Sequence, residues 1–109
     1  MIGDYSWIGD GVWIDNISSV EIGANVCLSQ GVYVCTGNHD WSKRGFPLIL
    51  QPVVIEDGVW VGAKAVVGPG IRLRSHSVVA TGSVVIGDTE AYKIYQGNPA
   101  VLVKPRVIG

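Results

Sequence analysis

The stretch VVIEDGVWVGAKAVVGPGIRLRSHSVVATGSVVIGD, residues 53–88, repeats one six-residue unit six times. The third position of each unit is aliphatic, in the order Ile55, Val61, Val67, Leu73, Val79 and Val85. The first position is small or β-branched, in the order Val53, Val59, Ala65, Ile71, Ser77 and Ser83. Side chains two residues apart lie on the same face of an extended chain. Each unit therefore predicts a short strand with two inward side chains and one outward side chain between them, followed by a turn.

The same spacing continues toward the N-terminus, with aliphatic slots at Ile2, Ile8, Ile14, Ile22, Leu28 and Val34. It is interrupted twice, by two extra residues between Ile14 and Ile22 and by 15 between Val34 and Ile55. Three units make one triangular coil, so the pattern predicts about four coils whose parallel strands stack about 4.8 Å apart. A β-sandwich would instead show strands every 8–12 residues with polar outward faces. We therefore predict an all-β parallel solenoid.

The composition indicates one globular domain over residues 1–109. Hydrophobic residues make up 48% of the chain and charged residues 16%, which is typical of a folded protein. The net charge of −1 argues against a nucleic-acid-binding protein. No apolar run is long enough to cross a membrane and no signal peptide is recognisable. Two cysteines are too few for a disulfide framework, so we expect reduced thiols in a cytoplasmic protein.

The longer interruption contains the residues that do not fit the repeat. It includes His39 within the sequence TGNHD, followed by apolar residues such as Trp41 and Phe46 that fill no slot. We expect these apolar side chains to pack against a second subunit. The only other histidine, His76, lies in a turn and is expected at the surface.

The outward positions of the repeat form three predicted ladders. The first contains Trp7, Cys27, Trp60 and Val78, the second contains Trp13, Tyr33, Val66 and Val84, and the third contains Glu21, Val54 and Arg72. Two of these ladders are apolar. A monomer would expose both, so the sequence predicts self-association.

Three stretches carry a resemblance to a known family: ISSVEIGANVCLSQGVYVCTGNHD (17–40), VVIEDGVWVGAKAVVGPG (53–70) and YQGNPAVLVKPR (95–106). They resemble the hexapeptide-repeat O-acetyltransferases of the maltose, galactoside and nodulation type, and most of all the colanic-acid-biosynthesis acetyltransferases. The resemblance implies a left-handed parallel β-helix that assembles as a homotrimer. Its coils would be residues 1–37 and 53–90, with an active-site loop at 38–52 that protrudes at about 41–52 and a C-terminal tail at 91–109.

The resemblance also implies a chemistry. Such enzymes transfer acetyl from acetyl-CoA to a hydroxyl group of a sugar or similar small acceptor, directly and in a ternary complex. His39 would be the general base, a role that suits imidazole near neutral pH. The coenzyme would contact Trp60, Gly62, Ala63, Ala80, Thr81, Gly82 and Lys104. The acceptor would contact Asn16, Asn38, Asp40 and Trp41, and no metal is expected.

Two alternatives remain open at this point. Met1 directly precedes the first slot, so we expect the N-terminal acceptor-binding segment of the relatives to be absent. Ala63 also replaces a serine that many relatives carry. A backbone N–H role survives that replacement, whereas the missing segment favours a non-catalytic trimeric remnant as the second hypothesis. A zinc enzyme like the β-helical carbonic anhydrases is the third, but it needs three histidines and this chain has two.

Overall fold

The computed structural model describes residues 1–109 and contains only strands and turns, arranged as a left-handed parallel β-helix. One face consists of β1 (Trp7–Ile8), β4 (Cys27–Leu28), β9 (Trp60–Val61), β12 (Val78–Val79), β14 (Lys93–Gly97) and β15 (Ala100–Pro105). The second consists of β2 (Trp13–Asp15), β5 (Tyr33–Cys35), β10 (Val66–Val67) and β13 (Val84–Val85). The third consists of β3 (Val20–Ile22), β8 (Val53–Ile55) and β11 (Arg72–Leu73). The remaining strands, β6 (Gly37–His39) and β7 (Leu48–Leu50), stand outside the helix.

The strand register confirms the three predicted ladders. Cys27 lies between Trp7 and Trp60 on the first face, and Tyr33 lies between Trp13 and Val66 on the second. The third face pairs Glu21 with Val54 and Val54 with Arg72. The period of six therefore predicted both the faces and the partners within each face.

The core consists of the inward positions of the repeat. Nine of the twelve aliphatic slots, from Ile22 to Val85, are at most 4% exposed. Ile2, Ile8 and Ile14 are not fully buried, and Ile2 is 51% exposed. These three belong to the first coil, which has a neighbouring coil on one side only.

The turns stack in columns as the strands do. At one corner Tyr5, Asn25, Gly58, His76 and Tyr92 all adopt a left-handed backbone conformation, with φ between 56° and 70°. The amides of all but Tyr5 donate to the coil before them, as in the 3.0 Å hydrogen bond from Gly58 N to Ala24 O. Gly58 is required here because a Cβ atom would lie within 3 Å of the His76 ring. Contrary to expectation, His76 is half-buried, because its ring stacks on Tyr92 with centroids 4.7 Å apart.

The C-terminal tail forms a hairpin that the sequence pattern did not predict. Strand β14 continues the first face in parallel, with Ile94 beside Val78, and β15 then pairs with β14 in antiparallel orientation. Val78 occupies an outward position yet is only 8% exposed, because Trp60 and Ile94 flank it. The structure contains no helix that is long and apolar enough to cross a membrane.

Candidate functional site

The longer interruption is an antiparallel β-hairpin, which we call the arm (residues 37–50). Strands β6 and β7 pair His39 with Leu48 and Gly37 with Leu50. The chain leaves the helix after Thr36, which is fully buried, and returns at Gln51, whose amide donates to Thr36 O at 2.9 Å. The arm thus begins one residue before the predicted loop at 38–52 and ends two residues before its predicted end.

His39 lies on the arm with its imidazole fixed on one side and exposed on the other. Its ring stacks on the Phe46 ring, with centroids 4.6 Å apart and planes 16° apart. Its Nδ1 is 3.0 Å from Phe46 O. A carbonyl oxygen only accepts hydrogen bonds, so Nδ1 carries the proton and the neutral ring presents a lone pair at Nε2. The carbonyl of Phe46 is therefore the group that orients His39, and the sequence did not indicate it.

The residues beside His39 mainly shape the turn of the arm. Asn38 Oδ1 accepts a hydrogen bond from the His39 amide at 2.8 Å. Asp40 Oδ1 accepts hydrogen bonds from the amide and the hydroxyl of Ser42, at 3.1 and 2.5 Å. Trp41 is 83% exposed at the tip of the arm. Of these predicted acceptor residues, Trp41 is the one whose side chain is wholly free for a ligand or a second subunit.

Asn16, the fourth predicted acceptor residue, lines a different cavity of about 200 Å³ at the open end of the first coil. Met1, Ile2 and Ile14 are among its other lining residues. The structure therefore does not bring Asn16 into the same cavity as any other predicted site residue.

The arm starts beside a polar group that sequence reasoning missed. Tyr33 OH donates to Asp15 Oδ2 at 3.4 Å, and the Cys35 thiol donates to Gly37 O at 3.2 Å. The neighbouring Cys35 thiol, together with burial and the Asp15 carboxylate, raises the pKa of Tyr33 to about 12. In the sequence, this polar group could have been recognised from Asp15, which is a charged residue at an outward position beside the apolar second ladder.

Six of the seven predicted coenzyme residues lie on the third and fourth coils, and the seventh, Lys104, lies on β15. A cavity of about 280 Å³ is lined by Trp60, Gly62, Val78, Val79, Ala80, Thr81 and Ile94. Four of these seven, Trp60, Gly62, Ala80 and Thr81, were predicted. We call this space the coenzyme cavity because the family resemblance predicts that the coenzyme binds here.

Gly62 allows the two coils to approach closely at this cavity. A Cβ atom on Gly62 would lie 2.6 Å from the backbone nitrogen of Thr81. Ala63 and Gly82 lie beside the cavity rather than on its wall, joined by a 2.9 Å hydrogen bond from Gly82 N to Ala63 O. Lys104 pairs with Ile94 in the register of β15 and so stands next to the cavity.

A third cavity, of about 330 Å³, is lined by three acidic residues, and two of them, Glu56 and Asp57, already have hydrogen-bond partners. Asp57 Oδ1 accepts a hydrogen bond from Ala24 N at 2.8 Å. Glu56 accepts from Ser75 N at 2.8 Å and from Arg72 Nη1 at 2.7 Å. The Arg72 guanidinium and the Ser75 amide lower the pKa of Glu56. These groups tie turns together, and no three His, Cys, Asp or Glu side chains of the structure are placed to hold a metal ion.

The chain is similar in sequence to proteins that are named acetyltransferases. Residues 52–86 match the family described as the hexapeptide repeat of succinyl-transferase. The chain is 36% identical over 106 residues to a putative colanic acid biosynthesis acetyltransferase of Escherichia coli K12, covering 97% of this chain and 58% of that protein.

Solved structures agree with the fold. A hexapeptide-repeat-containing acetyltransferase of Vibrio cholerae superposes with a TM-score of 0.90 at 32% identity, over 95% of this chain and 61% of that one. An N-acyltransferase of Bacillus cereus, solved with dTDP and 3-hydroxybutyryl-CoA, has a TM-score of 0.89 at 20% identity, over 97% of this chain and 62% of that one. The chain thus spans about three-fifths of the length of each of these proteins.

Proposed function

We propose that the chain, which is similar to hexapeptide-repeat acetyltransferases in sequence and in fold, is the β-helix of an acetyl-CoA-dependent O-acetyltransferase. Its acceptor would be a hydroxyl group of a sugar or a similar small molecule. The observation that carries the proposal is the hydrogen bond from His39 Nδ1 to Phe46 O, which leaves Nε2 free on the exposed side of the ring. A base oriented in this way is what acyl transfer to a hydroxyl needs.

The mechanism follows from that tautomer. Acetyl-CoA supplies the acetyl group as a reactive thioester. His39 Nε2 takes the proton of the acceptor hydroxyl while the hydroxyl oxygen attacks the thioester carbonyl carbon. The Phe46 carbonyl stabilises the imidazolium that forms, because Nδ1–H remains its donor. The imidazolium then returns the proton to the departing sulfur, so no covalent enzyme intermediate is required.

The coenzyme cavity fits a slim, mostly apolar chain. Its walls combine the Trp60 indole with backbone that Gly62, Ala80 and Thr81 leave accessible. Lys104 stands beside it and would face the coenzyme phosphates. The Bacillus cereus enzyme of the same fold was solved with an acyl-CoA, which supports this class of ligand for the present chain.

We propose a homotrimer as the active assembly. Trp7, Trp13 and Trp60 are 52%, 66% and 47% exposed on the two apolar faces, which is unusual for a monomer. The arm adds exposed Trp41 and Phe46. The two cysteines are free thiols, consistent with work in the cytoplasm, where coenzyme A is available.

The test is a binding and turnover experiment on the wild-type chain. Calorimetry with acetyl-CoA checks the cavity, and a hydroxyl-acceptor screen that detects released thiol checks the transfer. Binding with turnover on at least one sugar supports the proposal. Binding without turnover on any acceptor would favour the non-catalytic remnant, and no binding at millimolar acetyl-CoA would reject both.

A further inference from the structure

The Trp60 indole is held by one hydrogen bond on the side away from the coenzyme cavity. Its Nε1 donates to Ser29 Oγ at 2.9 Å. Ser29 belongs to the second coil, whereas the cavity lies toward the fourth coil, where Val78 and Ala80 form part of its wall. The hydrogen bond therefore draws the indole toward the second coil and away from the space that the coenzyme would occupy.

Ser29 is suited to this role by its place in the repeat. The residues that directly follow the first-face slots are Gly9, Ser29, Gly62 and Ala80, and Ser29 alone has a hydroxyl group. It is 8% exposed, so little water competes for its oxygen. The indole N–H is a donor only, and no other acceptor for it is found in the structure. The only other hydrogen-bond partner of Ser29 Oγ is the Cys27 thiol at 3.9 Å, which is a weak partner.

We propose that Ser29 is a positioning residue for the coenzyme, acting through Trp60. The inference rests on the proposed function, because it assumes that the cavity beside Trp60 holds acetyl-CoA. Without the Ser29 hydroxyl, the indole can rotate over Val78 and fill part of the cavity. Ser29 then affects how tightly the coenzyme binds, and it has no role in the proton transfer at His39.

The first experiment measures coenzyme A binding by calorimetry for wild type, S29A, W60F and the double variant. One neutral hydrogen bond is worth enough to raise the Kd about 2- to 10-fold in S29A. W60F removes the same hydrogen bond from the other side and also raises the Kd. In the double variant the serine change adds nothing further, because the hydrogen bond is already absent. In turnover assays, S29A raises the KM for acetyl-CoA and leaves kcat and the acceptor KM unchanged.

Ser6→Ala is the matched control. The Ser6 hydroxyl also joins two coils, donating to Gly23 O at 2.8 Å and accepting from Val26 N at 3.1 Å, but it does not line the coenzyme cavity. S6A therefore lowers the melting temperature without changing the coenzyme Kd. If S6A and S29A raise the Kd equally, Ser29 acts through stability alone and the proposal is overturned.

A second experiment tests the geometry without any ligand. The chain has four tryptophans, so an amide correlation spectrum shows four indole N–H signals, and W60F identifies the one from Trp60. In S29A that signal shifts and its proton exchanges faster with water. An unchanged signal would overturn the proposal. If the wild type and S29A bind coenzyme A with the same Kd, the role of Ser29 is overturned and the proposed function is not. If the wild type binds no coenzyme A, both are overturned.

Discussion

Replacement of Gly62 by alanine tests the contact between the third and fourth coils. The added Cβ atom would lie 2.6 Å from Thr81 N and 2.9 Å from Thr81 Cα. Both atoms belong to the backbone, so no side-chain rotation relieves the overlap. Ordinary van der Waals contact begins at 3.4 Å, so the two coils must separate locally by about 0.8 Å.

The expected cost follows from that displacement. Forcing one extra methyl group into a well-packed interior destabilises a protein by about 1–3 kcal/mol. For a chain of this size, that corresponds to a fall of about 4–12 °C in melting temperature. Gly62 also lines the coenzyme cavity, so G62A weakens coenzyme binding as well.

The assay is calorimetric melting of G62A beside a matched control, Gly87→Ala. No atom lies within 4 Å of a Cβ placed on Gly87, and its φ is not in the left-handed region. G87A is expected to melt within about 2 °C of wild type. If G62A melts no lower than G87A, the inferred close approach of the coils at Gly62 is refuted.

Three further outcomes are expected. H39A lowers acetyl transfer about 10²- to 10⁴-fold with unchanged coenzyme affinity, which initial rates and calorimetry check. The pKa of Glu56 is lowered, so its ionised carboxylate stabilises the folded state fully above about pH 4.3. This stabilisation is lost as the pH falls through the lowered pKa. E56Q therefore reduces the free energy of unfolding by about 1 kcal/mol or less at pH 7, a difference that disappears in denaturant titrations near pH 2. W13E is expected to convert the proposed trimer to monomers in light scattering, whereas a variant with the same mass as the wild type would contradict the proposed interface.

Much of the fold was predictable because one period governs both strand pairing and burial. A six-residue repeat places Trp60 beside Cys27 and Val78 without any tertiary information. The family resemblance predicted four of the seven residues that line the coenzyme cavity, and the repeat explains why they lie together, because equivalent positions of successive coils are neighbours in space.

The structure of the arm and the burial of His76 were not predictable, because the contacts that determine them lie outside the repeat. The arm pairs His39 with Leu48, and the hydrogen bond from His39 to Phe46 O depends on a turn with positive φ at Gly45 and Phe46. The half-buried state of His76 depends on Tyr92, which the C-terminal segment brings onto the same corner. Local chain geometry of this kind leaves no periodic signal in the sequence.

The arm leaves the helix after Thr36 and re-enters it at Gln51, and these two residues are neighbours in space. The segment between them can therefore change in length and sequence during evolution. Cys27 pairs with Trp60 across 33 residues of chain, whereas Trp60 pairs with Val78 across 18. Closing the longer segment costs only about 0.5 kcal/mol more in chain entropy. A corner of the solenoid therefore accepts inserts of different length and sequence while the inward residues stay the same. The proposed base and the proposed acceptor residues of the arm can therefore be replaced together, so that substrate choice can diverge while the core is unchanged.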